Sequence, residues 1–136
     1  MARGYIEWGL PGSTWNWWKE EAGLTLAWIL RQTGEIEQAQ YLVDEASGRF
    51  EKRRRGHTRR PEDHVQSARI QVVRGDREGA LRELQEAVRQ GWRFYNENPH
   101  DPVLNSLRGD PRYDRLMVEV KADVDRMRAR VEREGW

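Results

Sequence analysis

The sequence predicts an all-α chain, built of antiparallel helix–turn–helix repeats with a C-terminal helical extension. Three observations carry this. Apolar residues recur at steps of about 3.6 along most of the length. Gly, Asp and Pro punctuate those stretches where helices start and stop. No alternating apolar–polar run is long enough for a sheet. The 136 residues suit one domain, or a short array of repeats behaving as one.

The elements follow in order. Residues 1–14 hold Gly4, Gly9, Pro11 and Gly12 and are expected to be irregular. Ser13 or Thr14 then caps a helix starting near Trp15, with an apolar stripe at Trp18, Ala22, Leu26, Ile29 and Leu30. Gly34 stops it. A second helix over 36–53 carries Ile36, Ala39, Leu42, Val43, Ala46 and Phe50, completing a first hairpin over 15–53. Pro61 suits the first position of a third helix, where its missing N–H costs nothing, and that helix runs to Arg74 through Val65, Ala68, Ile70 and Val72. Gly75-Asp76 turns the chain into a fourth helix over about 77–90, which closes a second hairpin over 61–92. The extension, 101–134, repeats one start signal: Asp101-Pro102 opens a short helix and Asp110-Pro111 a long one. In each, an Asp side chain accepts from free N–H groups and Pro occupies the first turn. The long helix carries Tyr113, Leu116, Met117, Val120, Val124, Met127 and Val131.

Composition narrows the function classes. Seven Trp, four Tyr and two Phe supply large apolar area despite 35% charged residues, so the chain is expected to fold. The 24 basic and 23 acidic residues leave a formal charge of +1, which gives no global reason to bind nucleic acid. With no Cys, thiolate metal sites, disulfides and a cysteine nucleophile are excluded. His57, His64 and His100 lack metal-ligand spacing, so no metal is expected. There is no Gly-rich phosphate loop, nucleophile elbow or triad spacing, and neither an enzyme nor a cofactor is expected. No apolar run spans a membrane and Met1–Tyr5 lacks a signal-peptide core, so the expectation is a soluble, cytoplasmic protein.

Two stretches align in register, 26–46 and 67–87. Each has a small Ala in the first helix (Ala27, Ala68), a Gly at the turn (Gly34, Gly75) and an Ala early in the second helix (Ala39, Ala80). A larger residue (Val43, Leu84) and another Ala (Ala46, Ala87) follow. Small residues let paired helices approach closely, and a large one fills the hole at the next turn. This pattern resembles the tetratricopeptide repeat over about 20–51 and 61–92. The offset of 41 positions exceeds the family's roughly 34, and the excess falls in the loop between hairpins. The stretch Gly91-Trp92-Arg93 to Tyr113 looks like the closing segment of bacterial arrays of this kind, in which it is joined to regulator modules not found here.

The resemblance implies a non-catalytic module that binds a partner protein or peptide. Carried over by position, the groove of first helices would present Glu21, Thr25, Trp28, Arg31 and Gln32, then Glu62, Gln66 and Arg69. From the residues themselves, the Trp-rich start adds Trp15, Trp17 and Trp18, a cap on the first repeat or a docking face for a partner or a second copy. About three repeats are usually needed for stability, so two favour a homodimer. The alternative site is the basic run 52–60, with Lys52, Arg53, Arg54, Arg55, Arg59 and Arg60, which suits nucleic acid or another anion. Glu62-Asp63 and Glu45-Glu51 lie close enough to neutralise part of it. A third reading is a detached C-terminal part of a larger bacterial regulator.

Overall fold

The computed structural model describes residues 16–56, 58–93 and 101–135, with side chains from position 21 onward. The expectations for 1–14, the caps Ser13 and Thr14, Trp15, His57, His100 and the side chains of Trp17 and Trp18 lie outside the described residues. Among the described residues there are six helices and no strand. They are α1 (Asn16–Gln32), α2 (Ile36–Arg54), α3 (Pro61–Arg74), α4 (Arg77–Arg89), α5 (Pro102–Asn105) and α6 (Pro111–Glu134).

Local chemistry sets the boundaries. Pro61 opens α3, and the Arg60 N–H donates to Asp63 Oδ2 at 2.9 Å. Gly75 ends α3 at φ +85°, a conformation that only a glycine takes cheaply, and the Asp76 N–H donates back to the Gln71 carbonyl at 2.8 Å. Asp76 then caps α4 by accepting from the Gly79 N–H at 2.9 Å. Asp101 Oδ1 accepts from the N–H groups of Val103 and Leu104, and Asp110 Oδ1 from that of Arg112. Both Asp-Pro signals thus cap as the sequence requires.

The helices pack as two consecutive pairs. A turn of three residues folds α2 back along α1, and a turn of two folds α4 back along α3. The small residues of the repeated pattern are buried: Ala27 and Ala39 in the first pair, Ala68 and Ala80 in the second. Helix α3 also contacts α1 and α2, α5 lies against both α1 and α3, and α6 packs on α4. Two apolar clusters result. One gathers Leu24, Ala27, Leu42, Val43, Ala46, Phe50, Ile70, Val73 and Val103. The other gathers Val65, Ala68, Ala80, Leu81, Leu84, Trp92, Leu104, Leu107, Tyr113, Leu116 and Val120 among others. Val103 belongs to one cluster and Leu104 to the next, so α5 joins them.

Several expectations about faces need correction. The buried face of α1 holds Leu24 and Ala27; Ala22 and Ile29 are exposed, and Leu26 and Leu30 only half-buried. Apolar residues surround this helix, and periodicity alone does not select among its faces. Ile36, the first residue of α2, is 56% exposed. In α3, Val73 and not Val72 completes the buried set. In α6, Tyr113, Leu116 and Val120 are buried, but Met127 is 49% exposed and Val131 exposed as well. The 24 residues of α6 extend about 36 Å, and its second half overhangs the body. No helix among the described residues is long and apolar enough to cross a membrane.

Candidate functional site

The faces of α1 and α3 that the resemblance assigns to a groove lie beside each other, and the chain's own segment 101–107 crosses them. Arg69, on α3, is the junction. Its Nε donates to Asp101 Oδ2 at 2.7 Å, and its Nη1 faces Glu21 Oε1 at 3.2 Å and Gln66 Oε1 at 3.1 Å. Glu21, Gln66 and Arg69 are therefore engaged within the chain. Thr25 is half-buried and Glu62 is exposed at the start of α3.

Three residues of the same set stay together at the other end. Trp28, Arg31 and Gln32, from the last turns of α1, line a cavity of about 380 Å3 with Val72, Gly75, Arg77, Ser106 and Leu107. Trp28 packs half-buried against the first cluster. Arg31 bridges the two pairs, its Nη1 donating to the Val73 carbonyl. A Cβ at position 75 would sit 2.5 Å from Arg31 Nη2, so the glycine leaves the space that the guanidinium fills. Ser106 Oγ donates to the Val103 carbonyl at 2.6 Å, which holds the third wall in place. No carboxylate is among the described lining residues.

A larger cavity, about 460 Å3, opens between α4 and α6 and presents Arg89, Arg93, Arg112 and Arg115 beside Glu119 and Asp123. Its arginines are mostly spent on acidic neighbours. Arg93 Nε donates to Asp123 Oδ2 at 3.0 Å, Arg112 Nη1 to Glu78 Oε2 at 2.7 Å, and Arg89 Nε to Glu86 Oε2 at 2.7 Å. Their effect shows in the carboxyl groups. Hydrogen bonds from Arg89 and Gln90 hold the Glu86 carboxyl at about 2, against an ordinary 4.5. Arg112 lowers Glu78 and Asp110 in the same way. A carboxyl whose folded-state value is depressed stabilises fully above its unfolded value and loses that contribution as pH falls through the folded one. Stability in urea is thus expected to decline from about pH 5 toward about pH 2, with a shallower decline in Glu86→Gln. Identical profiles for wild type and variant would remove this assignment.

The basic run is divided among acidic partners. Arg53 Nη1 and Arg60 Nε each lie 3.8 Å from an oxygen of the buried Asp63, Arg54 Nη2 pairs with Glu51 at 2.7 Å, and Arg59 Nη2 lies 3.6 Å from Glu83. The guanidinium groups of Arg53 and Arg54 also lie over the Phe50 ring, 5.5 and 6.0 Å from its centre. Lys52 and Arg55 are exposed. Asp63 and Glu51 take the neutralising role expected of this acidic neighbourhood, and Glu83 on α4 adds to it.

Sequence reasoning did not find Asp101, Arg77 or Leu107 as site neighbours, nor the buried His64, whose Nδ1 lies 2.7 Å from Glu83 Oε2. Each pairing joins elements distant along the chain and leaves no local spacing signal. Among the described residues no group of three or more His, Asp or Glu side chains is placed to hold a metal ion. No protein-family model, curated protein or solved structure matches the chain.

Proposed function

We propose that the chain is a non-catalytic protein–protein interaction module of the tetratricopeptide type, two repeats and a helical extension, that binds a partner protein through the open end of its groove. The observation that supports this reading is the recurrence of one packing scheme. Ala27 and Ala68, Ala39 and Ala80, and Ala46 and Ala87 are all buried at corresponding positions, and Gly34 and Gly75 both turn at positive φ. A scheme that repeats is the signature of units that stack and leave an extended face for recognition. Segment 101–107 covers the middle of that face, which directs a partner to the end at Trp28, Arg31 and Gln32.

The test is affinity capture from the native host with the full chain immobilised, comparing wild type, Trp28→Phe and Trp28→Ala. Thermal melts verify folding of each. The expected result is a protein retained by wild type and Trp28→Phe and lost with Trp28→Ala. Retention of the same proteins by all three, or of none by any, overturns the reading.

A further inference from the structure

We infer that the cavity at Trp28 receives an acidic side chain of a partner peptide, held between Arg31 and Arg77 with an apolar neighbour against Trp28. This rests on the interaction-module reading and names its ligand. Charge complementarity carries it. The two cavities both present arginines, but only the larger includes carboxylates in its walls. Around Trp28 the described lining residues hold two guanidinium groups and no acidic residue.

Neither cation has a carboxylate to itself among the described residues. Arg31 is exposed, and its hydrogen bond is to the neutral Val73 carbonyl, which leaves its charge uncompensated among the described residues. Arg77 is 56% exposed along its side chain and pairs with Asp110 Oδ2 at 3.7 Å. That carboxylate is already committed to Arg112, which approaches it at 3.1 Å and 3.2 Å. A guanidinium has five donors, so both arginines keep N–H groups for an incoming anion. Gln32 adds a polar group at the exposed rim, and Val72 and Leu107 extend the apolar wall beside the indole. Volume, cationic rim and apolar wall together describe an amphipathic occupant, and a peptide with an acidic residue beside an aliphatic or aromatic one has that character.

The experiment uses the full chain and fluorescein-labelled octapeptides. In one set a central Asp or Glu is flanked by Leu or Phe; in the other, Asn or Gln replaces the acid. Fluorescence anisotropy gives the affinities for wild type, Arg77→Ala, Arg31→Lys and the distant surface control Arg128→Ala, each verified by a thermal melt. The expected result is binding of acidic peptides that weakens at least about tenfold on amide replacement or in Arg77→Ala, and that falls with added salt. Arg128→Ala matches wild type. The inference is overturned when acidic and amide peptides bind alike, when none binds, or when Arg77→Ala behaves as Arg128→Ala does. It is overturned equally when a single-stranded oligonucleotide binds more tightly than any peptide and depends on Arg77. A host protein that is lost with Trp28→Ala but indifferent to Arg77→Ala sinks this assignment and leaves the module reading standing. Capture of no protein sinks the module reading by itself.

Discussion

Leu104→Ala is expected to lower the unfolding free energy by about 2–5 kcal/mol, the cost of emptying a fully enclosed leucine site. Leu104 has no exposed surface and lies in the cluster formed by α3, α4 and α6. Its neighbour Val103 is 1% exposed but belongs to the cluster formed by α1, α2 and the later turns of α3. A helix of four residues has almost no stability of its own, so α5 persists because adjacent side chains enter different cores. Truncating Leu104 therefore weakens the joint between the helix pairs as well as one core. The measurement is urea unfolding followed by circular dichroism and by tryptophan fluorescence. Coincident curves with a lowered midpoint are the expected outcome. A loss below about 1 kcal/mol, or two separated transitions in the wild type, contradicts the joint.

This segment also marks where the sequence stops being informative. Asp101-Pro102 and Asp110-Pro111 announce their helices because a cap is a contact within a few residues, visible as a local pattern. Gly75 announces its turn for the same reason. The alanines at Ala27, Ala39, Ala68 and Ala80 are legible because repetition at equal spacing separates them from chance. Nothing local says that α5 lies across α1 and α3. That depends on Val103 and Leu104 finding two cores, and on Asp101 meeting Arg69 across 32 positions. The face of α1 was hidden for a different reason. Its apolar residues fall on more than one side, and only the position of α2 decides that Leu24 is inside and Ile29 outside.

The candidate site divides in the same way. Trp28, Arg31 and Gln32 come into view through the resemblance, which assigns them one helix face, and they do line one cavity. Arg77 and Leu107, which complete the cavity, come from the next helix pair and from the extension. The basic run 52–60 is a block in the sequence, but folding distributes it over Glu51, Asp63 and Glu83. A count of charges along the chain therefore overstates the run and understates the two arginines at the cavity.

Ala68→Leu tests the close approach of the paired helices, and it is expected to cost about 1–3 kcal/mol or more. In an isolated helix Leu is nearly as favourable as Ala, so propensity predicts almost no change. The structure predicts otherwise. Ala68 has no exposed surface, and Ala80 on α4, also without exposed surface, belongs to the same cluster. A leucine there must displace its neighbours in that cluster or leave its rotamer well, and each route costs packing. Ala129→Leu on the exposed overhang of α6 is the matched control, with an expected change within about 0.5 kcal/mol. Urea midpoints of the two variants decide the matter. Equal stability would mean that α3 and α4 have slack at Ala68. The repeated small residues would then have no steric role, and the correspondence between the two helix pairs would lose the physical basis on which an interaction module was inferred.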